Sequence, residues 1–443
     1  MAGSVDRRAF LGTAAKLGAV SVAAPVVLLE ACGGGGGGPA SSSGGSGSLN
    51  WSYWATPAEA QIFQQVKTAF EKAHSGITLN PITTNYSSYQ QKLDSMIAGG
   101  QTPDVMFLNS VTKYAAEGAI EQLDPWVKKS GMDLSVYYPH FLDDMKYNGK
   151  LYALERDGDV NVLYYKVDDL KSAGLSAPDK SWTWNTFQSA LQKLTKKSGS
   201  HVNRYGLAME YGKYWIWMGE LGGWWLDDAI NPTKCTLDEP KALEALKFQA
   251  GLINNDLMQA IDATTSSDLS SFQPGLCSMI IQNASRIPTL NQQSGFDYAL
   301  APVPRPTDGT WATSAGGAGW GMSAKSKNKD AAWTFISWLQ SPKGGQPIFA
   351  SSSELFPAIK QVAESASFVK PPPPGKSALG FMGQYAKTIE TALFPEWSQL
   401  SQEVIEPSLE KVWTGGQSVD QVVPPLVQQV NTFLKQHGYP KKS

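Results

Sequence analysis

A chain of 443 residues, 42% of them hydrophobic, can fill two ordinary cores and is too long for one typical domain. A formal net charge of −2 with only 17% charged residues leaves no basic surface to hold phosphates by counterion release, which excludes nucleic acid as a partner. The 15 Trp, 16 Tyr and 16 Phe are many rings for so weakly charged a chain, and flat apolar faces with polar rims suit stacking on sugars as well as core packing.

The amino terminus reads as an address. Arg7-Arg8 followed by Phe10-Leu11 precedes an apolar run, 17–29, that is shorter than a membrane span, as in a twin-arginine export signal. Leu29-Glu30-Ala31-Cys32 resembles a lipoprotein cleavage box, with Glu30 unusual in it, so residues 1–31 are expected to be a signal peptide and Cys32 the lipid-bearing first residue. The Gly/Ser tract that follows, 32–48, reads as a flexible tether. Cys235 and Cys277 remain; an even count in an exported domain suggests a disulfide, with two buried free thiols as the alternative. His74, His140, His201 and His437 are too dispersed to form a ligand pair, so neither metal nor cofactor is expected.

In chain order, 49–54 alternates large and small residues as a strand, and Thr56-Pro57-Ala58-Glu59 starts a helix with a capping hydroxyl and an early carboxylate. A second strand at 77–82, an amphipathic helix through Tyr89, Leu93 and Ile97, and a buried strand at 105–108 follow. This alternation predicts a doubly wound α/β lobe, with Asn109 and Ser110 at a strand's carboxyl end, where they either face a ligand or cap the next helix. Residues 150–175 hold two apolar runs separated by an acidic, Gly-containing kink at 156–159, which suggests a crossing between lobes. Tyr211 to Asp228 is the most aromatic segment, and a helix with rings all round needs a ligand or partner for some of them; Trp215 and Trp224 are the candidates. The run 314–322 is Gly-rich without nucleotide-loop spacing, so its glycines let backbone approach a ligand or bend as a hinge.

Several motifs resemble the family 1 extracellular solute-binding proteins, the receptors of ABC sugar importers similar to maltose-binding protein. Asp157, Asp159, Leu163, Tyr164 and Tyr165 fall in step with that family's first interlobe segment, although Glu155 stands where proline is usual and Lys166 replaces asparagine. Pro103-Asp104-Val105, Trp182-Thr183-Trp184-Asn185, Phe272 with Gly275 and Met279, and Gly316-Gly317 leading to Ser326-Lys327-Asn328 follow in the family's order.

The resemblance implies a two-lobed, periplasmic-binding-protein-like α/β fold, each lobe a mixed sheet flanked by helices, joined by a three-segment hinge. It implies 49–156 and 316–356 as lobe one and 157–315 and 357–443 as lobe two. Function would be that of an importer's binding lipoprotein, with no enzymatic activity, as a monomer held to the membrane by its lipid, passing a carbohydrate to the permease's transmembrane subunits. The ligand-binding residues so implied are Trp54, Asn109, Ser110, Asp157, Asp159, Trp215, Trp224, Arg286, Gly317, Trp320 and Trp397, although Arg286 also reads as a surface ion pair and Trp397 as a helix-packing ring. The same fold with a polyamine or metal chelate stands as an alternative ligand reading. A secreted glycoside hydrolase is the alternative from another class, but Asp157 and Asp159 lie two apart and show no separated carboxylate partner for an acid and a base on opposite sides of a bond.

Overall fold

A computed structural model describes residues 47–261, 267–292, 295–314, 316–353, 355–388, 394–414 and 416–441, all within one unit, 44–443. The expected signal peptide, Cys32 and most of the tether lie outside the described residues. Gly47 and Ser48, assigned to the tether from sequence, instead open the first strand, because Gly47 and Ser48 pair with Ile77 and Thr78.

The strand Gly47–Trp54 leads through Thr56 into the helix Pro57–Ala73. The Thr56 hydroxyl accepts from the Glu59 amide (3.1 Å) and the Glu59 carboxylate accepts from the Thr56 amide (2.8 Å), satisfying two amides that the helix start leaves open. That helix returns the chain to Ile77–Thr84, parallel to the first strand. The first sheet then runs in the order Phe356–Pro357, Ala153–Gly158, Gly316–Met322, Val105–Leu108, Gly47–Trp54, Ile77–Thr84. A second sheet runs Met258–Ile261, His201–Glu210, Cys277–Gln282, Val162–Lys166, Tyr298–Ala301. Each is mixed, with parallel pairs on one side and antiparallel pairs where the chain enters from the other sheet. The fold is therefore α/β and two-lobed, one lobe around each sheet.

Direction of the strands positions the cleft. In the first sheet the parallel strands end at Trp54, Thr84 and Leu108, so Tyr86 and Asn109 lie just beyond the same edge. In the second sheet His201–Glu210 ends just before Gly212 and Trp215. These are the carboxyl ends of parallel strands, where open α/β sheets bind ligands.

The chain passes between sheets at 159–161, not through the kink expected at 156–159. Arg156, Asp157 and Gly158 remain in the strand because neighbours flank it on both sides: Gly158 pairs with Gly316 and with Phe356, and Asp157 with Ala318 and Pro357. Two passages are stitched together. Asn161 donates its amide to Thr313 Oγ1 (2.8 Å) and its side-chain amide to Ser314 Oγ (3.0 Å), so the outgoing segment at 159–161 lies beside Thr313 and Ser314 of the returning one. The Gln346 side-chain amide also donates to the Arg156 carbonyl, at 2.7 Å.

The disulfide expectation is overturned. Cys235 and Cys277 are both free and buried. Cys277 opens a central strand opposite Tyr205, whereas Cys235 lies in a bridge with Leu226 and its amide donates to Asn431 Oδ1 at 2.7 Å, so separate elements hold the two thiols. Burial pushes the Cys235 thiol up to about 11 and the Cys277 thiol higher still, which keeps both protonated and unreactive. Peptide mapping of the native protein with an alkylating thiol reagent is expected to leave Cys235 and Cys277 unmodified. Denaturation without reductant is expected to expose both; a disulfide-linked peptide would contradict this.

Candidate ligand-binding cleft

Between the strand ends of the two sheets lies a cavity of about 470 Å³, within the size range of small-molecule sites. Tyr86, Asn109 and Gly317 line it from the first sheet's side, and Gly212, Trp215, Trp225, Trp397, Ser401 and Glu406 from the second's. Asp159 and Ser314, on the paired crossings, and Asp144 complete the lining.

Asp159 is held in place by its neighbours. Asn283 Nδ2 donates to Asp159 Oδ1, and Ser314 Oγ lies 3.2 Å from Oδ2. The Lys213 ammonium approaches from beneath, donating to Asn161 Oδ1 (3.3 Å) and the Ile281 carbonyl (3.2 Å), and burial lowers its pKa.

Gly317 belongs in the cavity wall because nothing larger fits. A Cβ there would stand 2.5 Å from the Asp157 carbonyl oxygen, and the Gly317 amide donates to Glu155 Oε1 at 2.9 Å. Glu155 is buried, and burial followed by the neighbouring Asp157 holds its carboxyl well above the usual range.

Glu406 was missed from sequence, where it is one acidic residue in an amphipathic helix. In the structure it starts the helix Glu406–Trp413 directly after a π-helical turn, Ser401–Ile405. Such turns are rare and recur at functional sites because the extra residue re-aims its neighbours. Here the cavity receives both Ser401 and Glu406. Trp225 Nε1 donates to the Tyr214 hydroxyl at 2.8 Å, and that hydroxyl lies 3.4 Å from Glu406 Oε1, a chain that orients the carboxyl. Burial pushes Glu406 up to about 7.

Of the residues singled out from sequence, the cavity gathers Asn109, Asp159, Trp215, Gly317 and Trp397. Ser110 lines an adjoining cavity. Trp54 is half-buried, stacked on Phe107 at 4.0 Å with its ring meeting Tyr86 edge-on at 5.5 Å, so it supports a lining ring. Asp157 is not among the lining residues: it is buried, and Arg156 Nε donates to its Oδ1. Trp320 is not a cleft wall. It has no exposed surface and packs within the first lobe against Phe107 (4.4 Å) and Trp51 (5.6 Å), because its strand lies centrally in the sheet. Trp224 lines a separate recess with Gly222 and Lys241, while its neighbour Trp225 faces the cleft; the Thr236 hydroxyl donates to the Trp224 carbonyl (2.8 Å) and the Thr236 amide to the Trp225 carbonyl (2.9 Å), which holds this turn of backbone in place. Arg286 is spent on protein charges, 3.5 Å from Glu210 and 3.9 Å from Asp268. Tyr86, Trp225, Asp144, Gly212, Ser314, Ser401 and Glu406 complete the site; Gly212 and Trp225 lie in the aromatic stretch 211–228 and Ser314 in the Gly-rich run 314–322 that the sequence marked, and the other four do not.

The family of bacterial extracellular solute-binding proteins matches residues 53–346. The chain belongs to that family. A mannitol-binding protein of Pseudomonas aeruginosa is 24% identical over 420 residues, covering 85% of this chain and 91% of that one. A lactose-binding protein of Rhizobium radiobacter is 24% identical over 297 residues, covering 64% and 68%. Among solved structures, the sugar-binding protein MalE from Xanthomonas citri superposes with a TM-score of 0.78 at 23% identity, over 88% of this chain and 98% of that one. Members of the family are receptors for solutes, which separates this protein from the hydrolase alternative.

The raised Glu406 carboxyl carries a cost in the unliganded protein. A carboxyl whose folded pKa is raised contributes stability that is fully present below its unfolded value, near 4.5, and lost as pH rises through about 7. Glu406→Gln is expected to stabilise the unliganded protein at pH 8 by about 1–3 kcal/mol and to make no difference near pH 4.5. Denaturant melts at the two pH values check this; an equal effect at both would mean that Glu406 is not buried as a charge.

Proposed function

We propose that this solute-binding protein is the receptor of an ABC importer and that its solute is a mono- or oligosaccharide, captured between the lobes and handed to the permease. The observation that carries the reading is one cavity in which the rings of Tyr86, Trp215, Trp225 and Trp397 meet the hydrogen-bonding groups of Asn109, Asp159 and Glu406. Rings cover the apolar C–H faces of a sugar, and carboxylates and amides accept from its hydroxyls. The mannitol- and lactose-binding relatives support the same class.

In this reading lobe one comprises 49–156 and 316–356 and lobe two the rest of the mature chain, with boundaries adjusted to the strand ends at Gly158 and Pro357. The three crossings act as the hinge. Sugar bound to one lobe favours closure by contacting the other, to the extent that its affinity for the closed state exceeds that for the open one. Export by the twin-arginine route, a lipid on Cys32, a tether to the outer face of the membrane and a monomeric state complete the proposal.

The lining carboxylates, Asp144, Asp159 and Glu406, also bear on ligand charge, because an anion brought beside them would be repelled. A thermal-shift screen is expected to give a rise in melting temperature with one family of neutral sugars and none with uronates or sugar phosphates, since a ligand that binds only the native state raises its stability. For the sugar that responds, Asp159→Ala and Trp215→Ala are each expected to weaken binding about 10- to 100-fold by calorimetry, or about 1.4–2.8 kcal/mol. A shift with a polyamine or metal chelate alone would replace the sugar, and turnover of a glycoside would overturn the receptor reading.

A further inference from the structure

Glu406 enters the cavity with one carboxyl oxygen engaged and the other open. Trp225 Nε1 can only donate, so its 2.8 Å bond makes the Tyr214 hydroxyl an acceptor, and the single Tyr214 proton is left for Glu406 Oε1, 3.4 Å away. Oε2 faces Gly212, where a Cβ would stand 3.7 Å from it, and both residues line the cavity. Glu406 is half-buried, and among the described residues no ammonium or guanidinium lies within 4.0 Å of its carboxyl.

The charges on the elements packed around Glu406–Trp413 are turned elsewhere. Lys213, which shares the turn Tyr211–Tyr214, donates to Asn161 and the Ile281 carbonyl and lies 3.7 Å from Glu210. On the helix Pro240–Asn254, Lys241 and Glu244 are exposed, and Lys247 pairs with Asp420 of the helix Val419–Gln436 at 2.7 Å. Lys435 and Lys411 are exposed, and Glu403 accepts from Gln399 at 2.9 Å. Glu410, one turn along the same helix, and the cavity-lining Asp144 and Asp159 add only like charge. An ionised Glu406 therefore depends on the Tyr214 hydroxyl and on water in the cavity.

We propose that Glu406 is a specificity-determining proton donor: the protein takes up one proton from solvent as it binds its solute, and Glu406 Oε2–H donates to an oxygen of the ligand. This rests on the sugar reading of the cleft. A sugar that displaces water from the cavity removes the solvation of an ionised Glu406 and brings no cation to replace it, whereas the protonated carboxyl gains an acceptor. Burial pushes the unliganded carboxyl up to about 7, and binding raises it further. Affinity is then constant below that value and falls as pH rises through it.

Calorimetric titration of the purified protein with glucose, mannitol, lactose, cellobiose and maltotriose at pH 6.0, 7.5 and 8.5 tests this. The compound that binds is expected to bind at least fivefold more weakly at pH 8.5 than at pH 6.0. At pH 7.5 its apparent heat is expected to differ between phosphate and Tris buffers by the heat of taking up more than half a proton. Glu406→Gln, whose amide donates from the same place, is expected to show one Kd within twofold at pH 6.0 and 8.5 and no buffer-dependent heat, whereas Asp159→Asn is expected to weaken binding and keep the pH dependence. A wild-type Kd that does not change with pH, a Glu406→Gln variant that still takes up a proton, or one that no longer binds would overturn the proton donor and leave the sugar reading intact. Binding of spermidine alone, or of none of these compounds at any pH, would overturn the sugar reading and the proton donor with it.

Discussion

The structure depends on how closely two strands approach. At Gly317 the backbone of Gly316–Met322 lies so near Ala153–Gly158 that a Cβ would come within 2.5 Å of the Asp157 carbonyl. That approach places the chain's first exit from lobe one against its return, and Asn161, Thr313 and Ser314 then tie the passages together by hydrogen bonds. Asp159, Ser314 and Gly317 sit on this seam and line the cavity, so the proposed hinge and the proposed ligand site share residues.

The seam is built from polar groups taken out of water. Burial raises the Glu155 carboxyl, which accepts from the Gly317 amide, while Arg156 lies over the Phe107 ring at 4.2 Å and donates to Asp157. Breaking such a buried pair by removing one partner leaves an uncompensated charge, which costs more than the pair contributes. These groups specify one arrangement of the crossing strands. The same arrangement explains why Asp157, adjacent to the cleft in sequence, is occupied by Arg156, whereas Asp159, two residues on, turns into the cavity.

Glu406 is the complementary case, a buried carboxyl that lines the cavity and that the proposed function assigns to the ligand. A carboxyl displaced upward by burial and oriented through Trp225 and Tyr214 sits at a local cost to stability, and such costs concentrate where function requires them. The π-helical turn before it is the backbone device that brings Ser401 and Glu406 to the same cavity.

Local pattern carried the elements. The capping box at Thr56 and Glu59, the alternation through Trp51 and Trp54, the buried run Val105–Leu108 and the polar pair after it were legible because each is decided by a few adjacent residues. So was the position of Asn109 at a strand's carboxyl end, whereas Asp159 was singled out together with Asp157 by the family resemblance. The side of a strand or turn on which a large ring falls was not legible. Trp320 and Trp224 were as aromatic as Trp397 and Trp225, and only their places in the tertiary structure put the first pair away from the cavity and the second pair beside it. Pairing of Cys235 with Cys277 was equally beyond sequence, since it depends on distance between elements far apart in the chain. Sequence determined which segments become strands and helices and the class of receptor they compose; tertiary structure decided which side chains share the cavity, because that depends on strand depth, turn geometry and contacts between residues hundreds of positions apart.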